Sequence, residues 1–161
     1  MIVVSNTSPL TNLAKIQQFE LLQKLYGQLH IATGVWEELN AFEKPWPGAQ
    51  EVFDAAWITQ HEVENQTLVT ALKQDLDRGE AETIALALQL KADLVLLDEK
   101  SGRQHALRQG LSVGGVLGIL IEAKHKQLIP TVKPELDKLV YEAGFFLKQN
   151  LYKKVLQLVS E

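Results

Sequence analysis

The run Asp93-Leu-Val-Leu-Leu-Asp98 constrains the fold more than any other stretch of the chain. An uninterrupted apolar run of this kind, opened and closed by carboxylates, marks a strand buried on both faces. Such strands belong to parallel sheets covered by helices on either side. Ile2-Val-Val-Ser5 repeats the pattern and is followed by Asn6, so Asn6 and Asp98 are both expected at the carboxyl ends of buried strands. Further strands are expected at 28–32 (QLHIA), 57–63 (WITQHEV) and 111–113 (LSV).

Between these runs the apolar spacing turns helical. Ser8 and Pro9 suit an N-cap and first helical position, and apolar residues follow at 10, 13, 14 and 16. A second helix is expected over 19–26, and Thr33 can cap a third that carries VWEELNAF. KPWPG (44–48) breaks the chain. Helices are then expected at 65–76, 79–91, 101–109 and 114–127, and two more at 133–143 and 147–159. Strands alternating with helices imply right-handed crossovers. The expected fold class is therefore α/β, a doubly wound, mostly parallel sheet of about five strands flanked by helices in three layers. No linker or repeat interrupts it, so residues 1–161 read as one domain with a helical C-terminal extension from about 131.

Composition excludes several kinds of chemistry. The absence of cysteine rules out disulfides, thiolate zinc sites and a cysteine nucleophile. The four histidines show no metal-ligand spacing, and VGGVLG (113–118) lacks both the dinucleotide fingerprint and a P-loop lysine. The longest oily stretch, Val113 to Ile121, falls far short of the roughly 20 residues that span a bilayer, and the N-terminal apolar run has no basic lead. A soluble, cytoplasmic protein is expected. With a formal net charge of −4, the surface as a whole cannot recruit nucleic acid, and a polyanion would need a local basic patch or a metal ion. Trp36, Trp46 and Trp57 are dispersed in sequence and read as core or loop packing, not as a base-stacking platform.

Taken singly, the acids have ordinary explanations. Asp98 can cap a helix, Glu80 can decorate a helix N-terminus, and Glu38 can sit on a solvated face. Together, SNTSPL (5–10), VWEEL (35–39), DRGEAETIALAL (77–88), VLLDEKSGRQHA (95–106) and GVLGILIEAKHKQLIP (115–130) resemble the PIN-domain family. That family includes the VapC-type toxin ribonucleases, and the match is closest to a poorly characterised prokaryotic PIN-like branch. The resemblance covers essentially residues 1 to 145.

The resemblance implies a PIN-like three-layer α/β/α fold and acidic side chains that converge on Mg2+ or Mn2+ to cut RNA. Matched by motif, the metal and catalytic positions are Asn6, where the family usually has Asp, and Glu38, Glu80 and Asp98. Glu82 is the weaker candidate for the third place, because it points about 200° around the helix from Glu80. Ser8 and Thr7 become hydroxyl neighbours of the site, and Lys100 and Arg103, at i and i+3 on the following helix, are expected to meet RNA phosphates. The resemblance also implies a homodimer and an antitoxin protein whose segment covers the pocket. The amide at Asn6 leaves three readings open: a weak nuclease with a neutral ligand, a fold that keeps binding without chemistry, or an introduced Asp-to-Asn change that silences a toxic enzyme.

Overall fold

Five segments pair as one fully parallel sheet in the computed structural model, which describes residues 1–41 and 43–161. They are β1 (Val3–Ser5), β2 (Leu29–Ala32), β3 (Ile58–His61), β4 (Leu94–Leu96) and β5 (Val113–Gly114), in the spatial order β3-β2-β1-β4-β5. The chain thus builds outward from β1 to β3, returns across β1, and adds β4 and β5 on the other side. Val3, Val4 and Ser5 lie beside Leu94, Val95 and Leu96, and Val4 lies beside His30. This is the doubly wound arrangement that the alternating pattern demands.

Helices cover both faces: α1 (Thr7–Lys15), α2 (Leu21–Tyr26), α3 (Thr33–Leu39), α4 (Ala49–Asp54), α5 (Gln66–Leu72), α6 (Arg78–Gln89), α7 (Lys100–Arg108), α8 (Val116–His125), α9 (Lys133–Tyr141) and α10 (Gln149–Leu158). Successive strand residues point to opposite faces and so feed two cores. Val3, Leu29, Ile31 and Leu96 pack with Leu10, Leu13, Leu120, Leu136 and Val155 on one face. Val4, Ala32 and Val95, with Leu97 just beyond β4, pack with Val69, Ile84 and Ala106 on the other. The C-terminal helices therefore lie on the first core rather than projecting as an arm. Glu161 fastens them: it pairs with Lys124 at 2.8 Å and accepts from the backbone N–H of Val132 and Lys133 at the start of α9.

Several boundaries differ from the sequence reading, each for a local reason. α1 begins at Thr7, so Asn6 and not Ser8 occupies the N-cap, and the Ser8 hydroxyl is free to face Asp98. Thr33 is the first helical residue of α3 rather than its cap, and its hydroxyl donates to the His61 carbonyl at 3.1 Å. That helix ends at Leu39, and Phe42, at the end of the expected VWEELNAF helix, lies outside the described residues. The last strand is Val113–Gly114 rather than 111–113, and the absence of a side chain at Gly114 lets the Leu94 and Leu96 side chains close over it. α5 stops at Leu72, short of the expected 76. α4 was not expected at all, since only Ala49 and Val52 of its six residues are buried and no periodicity can register. No helix among the described residues is long and apolar enough to cross a membrane.

Leu96 is fully buried where β4 meets β1. Leu96→Ala is expected to lower unfolding free energy by about 2–5 kcal/mol, read as a reduced urea midpoint at unchanged slope.

Candidate functional site

β1 and β4 are spatial neighbours from opposite halves of the winding, so strand order reverses between them. The crevice beyond their carboxyl ends is the place where open α/β sheets bind ligands. A cleft of about 630 Å³ opens there, and Asn6, Glu38, Glu80 and Asp98 all line it. The sheet delivers two of the four. The backbone N–H of Asn6 donates to the Leu96 carbonyl at 3.0 Å, which fixes the residue after β1 against the end of β4. Asp98 follows β4 and accepts from the N–H of Val116 at 2.8 Å and from the Ser8 hydroxyl at 3.2 Å. Asn12 holds that hydroxyl in turn, its Nδ2 donating to Ser8 Oγ at 3.0 Å.

Helices deliver the other two. Glu38, in the last turn of α3, accepts from the Thr7 hydroxyl at 2.8 Å. Glu80 lies in the first turn of α6, where Asp77 caps the helix by accepting from the Glu80 N–H at 2.8 Å. A carboxylate there faces the positive end of the helix. Glu82 does not reach this cleft. It accepts from the Gly34 N–H at 3.2 Å and pairs with Arg78 at 2.5 Å, and it borders a separate depression with Thr33 and Lys73.

Each of these acids rests against a glycine. A Cβ added at Gly79 would stand 2.6 Å from Glu38 Oε2, at Gly102 2.8 Å from Glu80 Oε2, at Gly115 2.7 Å from Asp98 Oδ1, and at Gly34 2.7 Å from Glu82 Oε2. The carboxylates thus press against main chain on one side. Gly115, within the VGGVLG stretch that lacks a nucleotide fingerprint, has a specific neighbour in Asp98.

Lys100 stands on the cleft wall, but Arg103 does not. The guanidinium, expected to meet phosphate, donates through Nη1 to the carbonyls of Leu97 (2.8 Å) and Gly114 (3.1 Å). Those carbonyls lie where the β4–β5 ladder runs out, and a cation with a fork of donors satisfies both. Arg103 therefore ties the segment that carries Asp98. Sequence reasoning passed over Asp77, Glu99 and Lys15, which also line the cleft. Asp77 caps α6 and also lines the cleft beside the acids.

Crowding and burial raise the proton affinity of the acids. Glu80 is pushed up to about 7, chiefly by burial and then by the hydrogen bond it shares with the Asp77 carboxylate. Burial likewise raises Glu38, with the Thr7 hydroxyl opposing and Asp77 adding repulsion. Asp98 is raised by burial against the opposing pull of the Val116 N–H and Ser8. Against Glu38, Asp77, Glu80, Asp98 and Glu99 the cleft wall sets the lysines at 15 and 100. Excess negative charge is left in the cleft.

A family model described as a PIN domain matches residues 2–161. The chain belongs to the PIN-domain family. No curated protein matches it. PIN domains have a nuclease-like fold and generally use divalent metal ions. The donors of this PIN cleft suit such an ion in kind, since carboxylates and the Asn6 carbonyl are the hard oxygen ligands that Mg2+ and Mn2+ take. Among the described residues, no three acidic or histidine side chains are drawn in around a single point, and Glu38 and Asp98 each accept from hydrogen-bond donors of the protein itself.

The raised acids set the pH response of the PIN fold. The folded state holds the Glu80 proton up to about 7, whereas the unfolded chain releases it near 4.5, as an ordinary glutamate does. The unfolded state therefore binds fewer protons across that window, and stability falls as pH rises through it. Urea unfolding of the metal-free protein at about pH 5 and about pH 8 is expected to show the lower midpoint at the higher pH, and Glu80→Gln is expected to shrink the difference.

Proposed function

We propose that this PIN domain hydrolyses RNA phosphodiester bonds, with Mg2+ or Mn2+ held by Glu38, Glu80, Asp98 and the side-chain oxygen of Asn6. The observation that carries the reading is that these four residues, from four separated segments, line one cleft at the switch point of the sheet. A bound ion would polarise a phosphoryl oxygen and make a coordinated water more acidic. The protein's own groups do the rest. The carboxylates supply the charge that draws a cation into a net-negative cleft, and the hydroxyls of Thr7 and Ser8 orient Glu38 and Asp98. Lys100 and Lys15 stand on the wall to balance the charge of the RNA backbone, which the acids alone would repel.

Asn6 tunes this device downward. Its amide offers an oxygen without a charge, and a unit charge about 4 Å from a divalent ion contributes several kcal/mol at an effective dielectric of 20, part of it cancelled by desolvation. Asn6→Asp is expected to tighten Mn2+ binding by about 10- to 100-fold in isothermal titration and to increase cleavage of a structured RNA. Absence of Mn2+ uptake in both forms overturns the reading.

A second reading follows from the same amide and from the carboxylates being turned to protein donors: a PIN module that binds nucleic acid or a protein partner without cutting. RNA binding without cleavage in both forms would select it. By family resemblance, the first reading extends to a cytoplasmic, toxin-like nuclease that works as a homodimer and whose cleft an antitoxin segment covers. Co-purification with the product of a neighbouring gene tests that extension.

Gly79→Ala separates the site from the fold. The alanine adds helix propensity in the first turn of α6, yet its Cβ meets Glu38 Oε2. The melting temperature is expected to hold or rise, while Mn2+ affinity falls by about tenfold or more in the same titration.

A further inference from the structure

We propose that Trp36, Trp46 and Phe53 form a stacking shelf for unpaired nucleobases that flank the bond held over the acidic cleft. The proposal deepens the nuclease reading and rests on it. These residues line a second cavity of about 600 Å³, within the size range of small-molecule sites, and Trp46 lines both that cavity and the acidic cleft. The two depressions are thus continuous across one indole. Trp36 and Phe53 lie with ring centroids 6.3 Å apart and planes 23° from parallel, and Phe53 is 71% exposed. An exposed phenylalanine stacked on a tryptophan presents a ready aromatic face to solvent.

The shelf is held in place by its backbone. Trp46 sits between Pro45 and Pro47; its N–H donates to the Leu39 carbonyl at 3.0 Å, and its carbonyl accepts from the Ala49 N–H at 3.0 Å. Gly48 follows at a φ of 100°, a conformation open to glycine, and a Cβ there would stand 3.3 Å from the Leu10 carbonyl oxygen. The loop therefore lies directly on α1, the helix that also brings Thr7 and Ser8 to the acids.

Continuity selects the occupant. A strand whose phosphate lies over a cation in the cleft occupies a depression whose wall carries Lys15, Lys100 and Trp46, and Trp46 joins that depression to the shelf. Lys44 borders the shelf together with Glu51, and the amides of Asn40 and Gln50 donate to the Trp36 carbonyl (2.9 Å) and to Asp54 (3.0 Å), so aromatic faces rather than charge are what the shelf offers a strand. Bases inside a duplex are already stacked and cannot reach such a surface, whereas unpaired bases stack on aromatic rings with little regard to sequence.

The test compares binding by fluorescence anisotropy for a labelled oligouridylate, its abasic ribose-phosphate counterpart and a blunt RNA duplex, using the full chain with Ca2+, a hard cation that oxygen ligands also take, in place of Mn2+. The oligouridylate is expected to bind about 5- to 150-fold more tightly than the abasic strand. Phe53→Ala is expected to remove about fivefold or more of that advantage, leaving abasic binding unchanged, and Phe53→Tyr to restore it. Phe53 is largely exposed, so its variants should melt like the parent. Equal affinity for the abasic strand, no loss with Phe53→Ala, or no binding of any RNA overturns the shelf. Cleavage of an RNA strand assayed with Mn2+ reports on the nuclease reading separately: cutting without base-dependent binding sinks the shelf alone.

Discussion

Val3, Val4 and Ser5 of β1 lie in register with Leu94, Val95 and Leu96 of β4, and because the two strands run the same way their carboxyl ends emerge at one edge of the sheet. Everything at the cleft depends on that pairing. Residues more than ninety positions apart in the sequence, Asn6 and Asp98, are brought to one crevice by backbone hydrogen bonds and by strands buried on both faces. Their side chains need no long-range partner to find the site, since the ladder has already fixed where they start.

The second constraint is electrostatic. Burial raises Glu38, Glu80 and Asp98 together, and their neighbours in the cleft include further carboxylates rather than enough cations to balance them. A protein that only needed to fold would gain by replacing such groups with apolar ones. The cleft instead holds its acids with donors that cost little elsewhere: the Thr7 and Ser8 hydroxyls and the N–H of Val116. This is a site kept short of positive charge.

Much of the fold was legible because buried parallel strands are written as unbroken apolar runs, as in IVV and LVLL. Helix starts were less legible. Ser8-Pro9 makes a good cap and first position by local chemistry, yet the chain enters α1 two residues earlier, where Asn6 leaves the strand. The acids at 38, 80 and 98 could be named only through family motifs, since each also has an ordinary local explanation. Asp77 went unread, and Arg103, expected to face phosphate, also donates to two carbonyls, for one reason. A side chain's local role, capping in one case and basic helix face in the other, does not reveal which way the tertiary fold turns it. Trp36 and Trp46 looked unrelated for the same reason, ten positions apart with a chain-breaking loop between them.

The glycines at 79, 102 and 115 have a consequence for how this protein can change. Each gives up its side-chain volume to a carboxylate delivered by a different part of the chain. Adding one methyl group at Gly79 or Gly102 displaces an acid from its seat, whereas at Gly115 it would also stand 3.0 Å from the Arg103 guanidinium and 3.3 Å from the Leu97 carbonyl oxygen. The chain thus contains positions where tolerance of the fold and tolerance of the cleft diverge sharply. A library sorted for expression would keep such variants, and the same library sorted for the cleft's work would discard them.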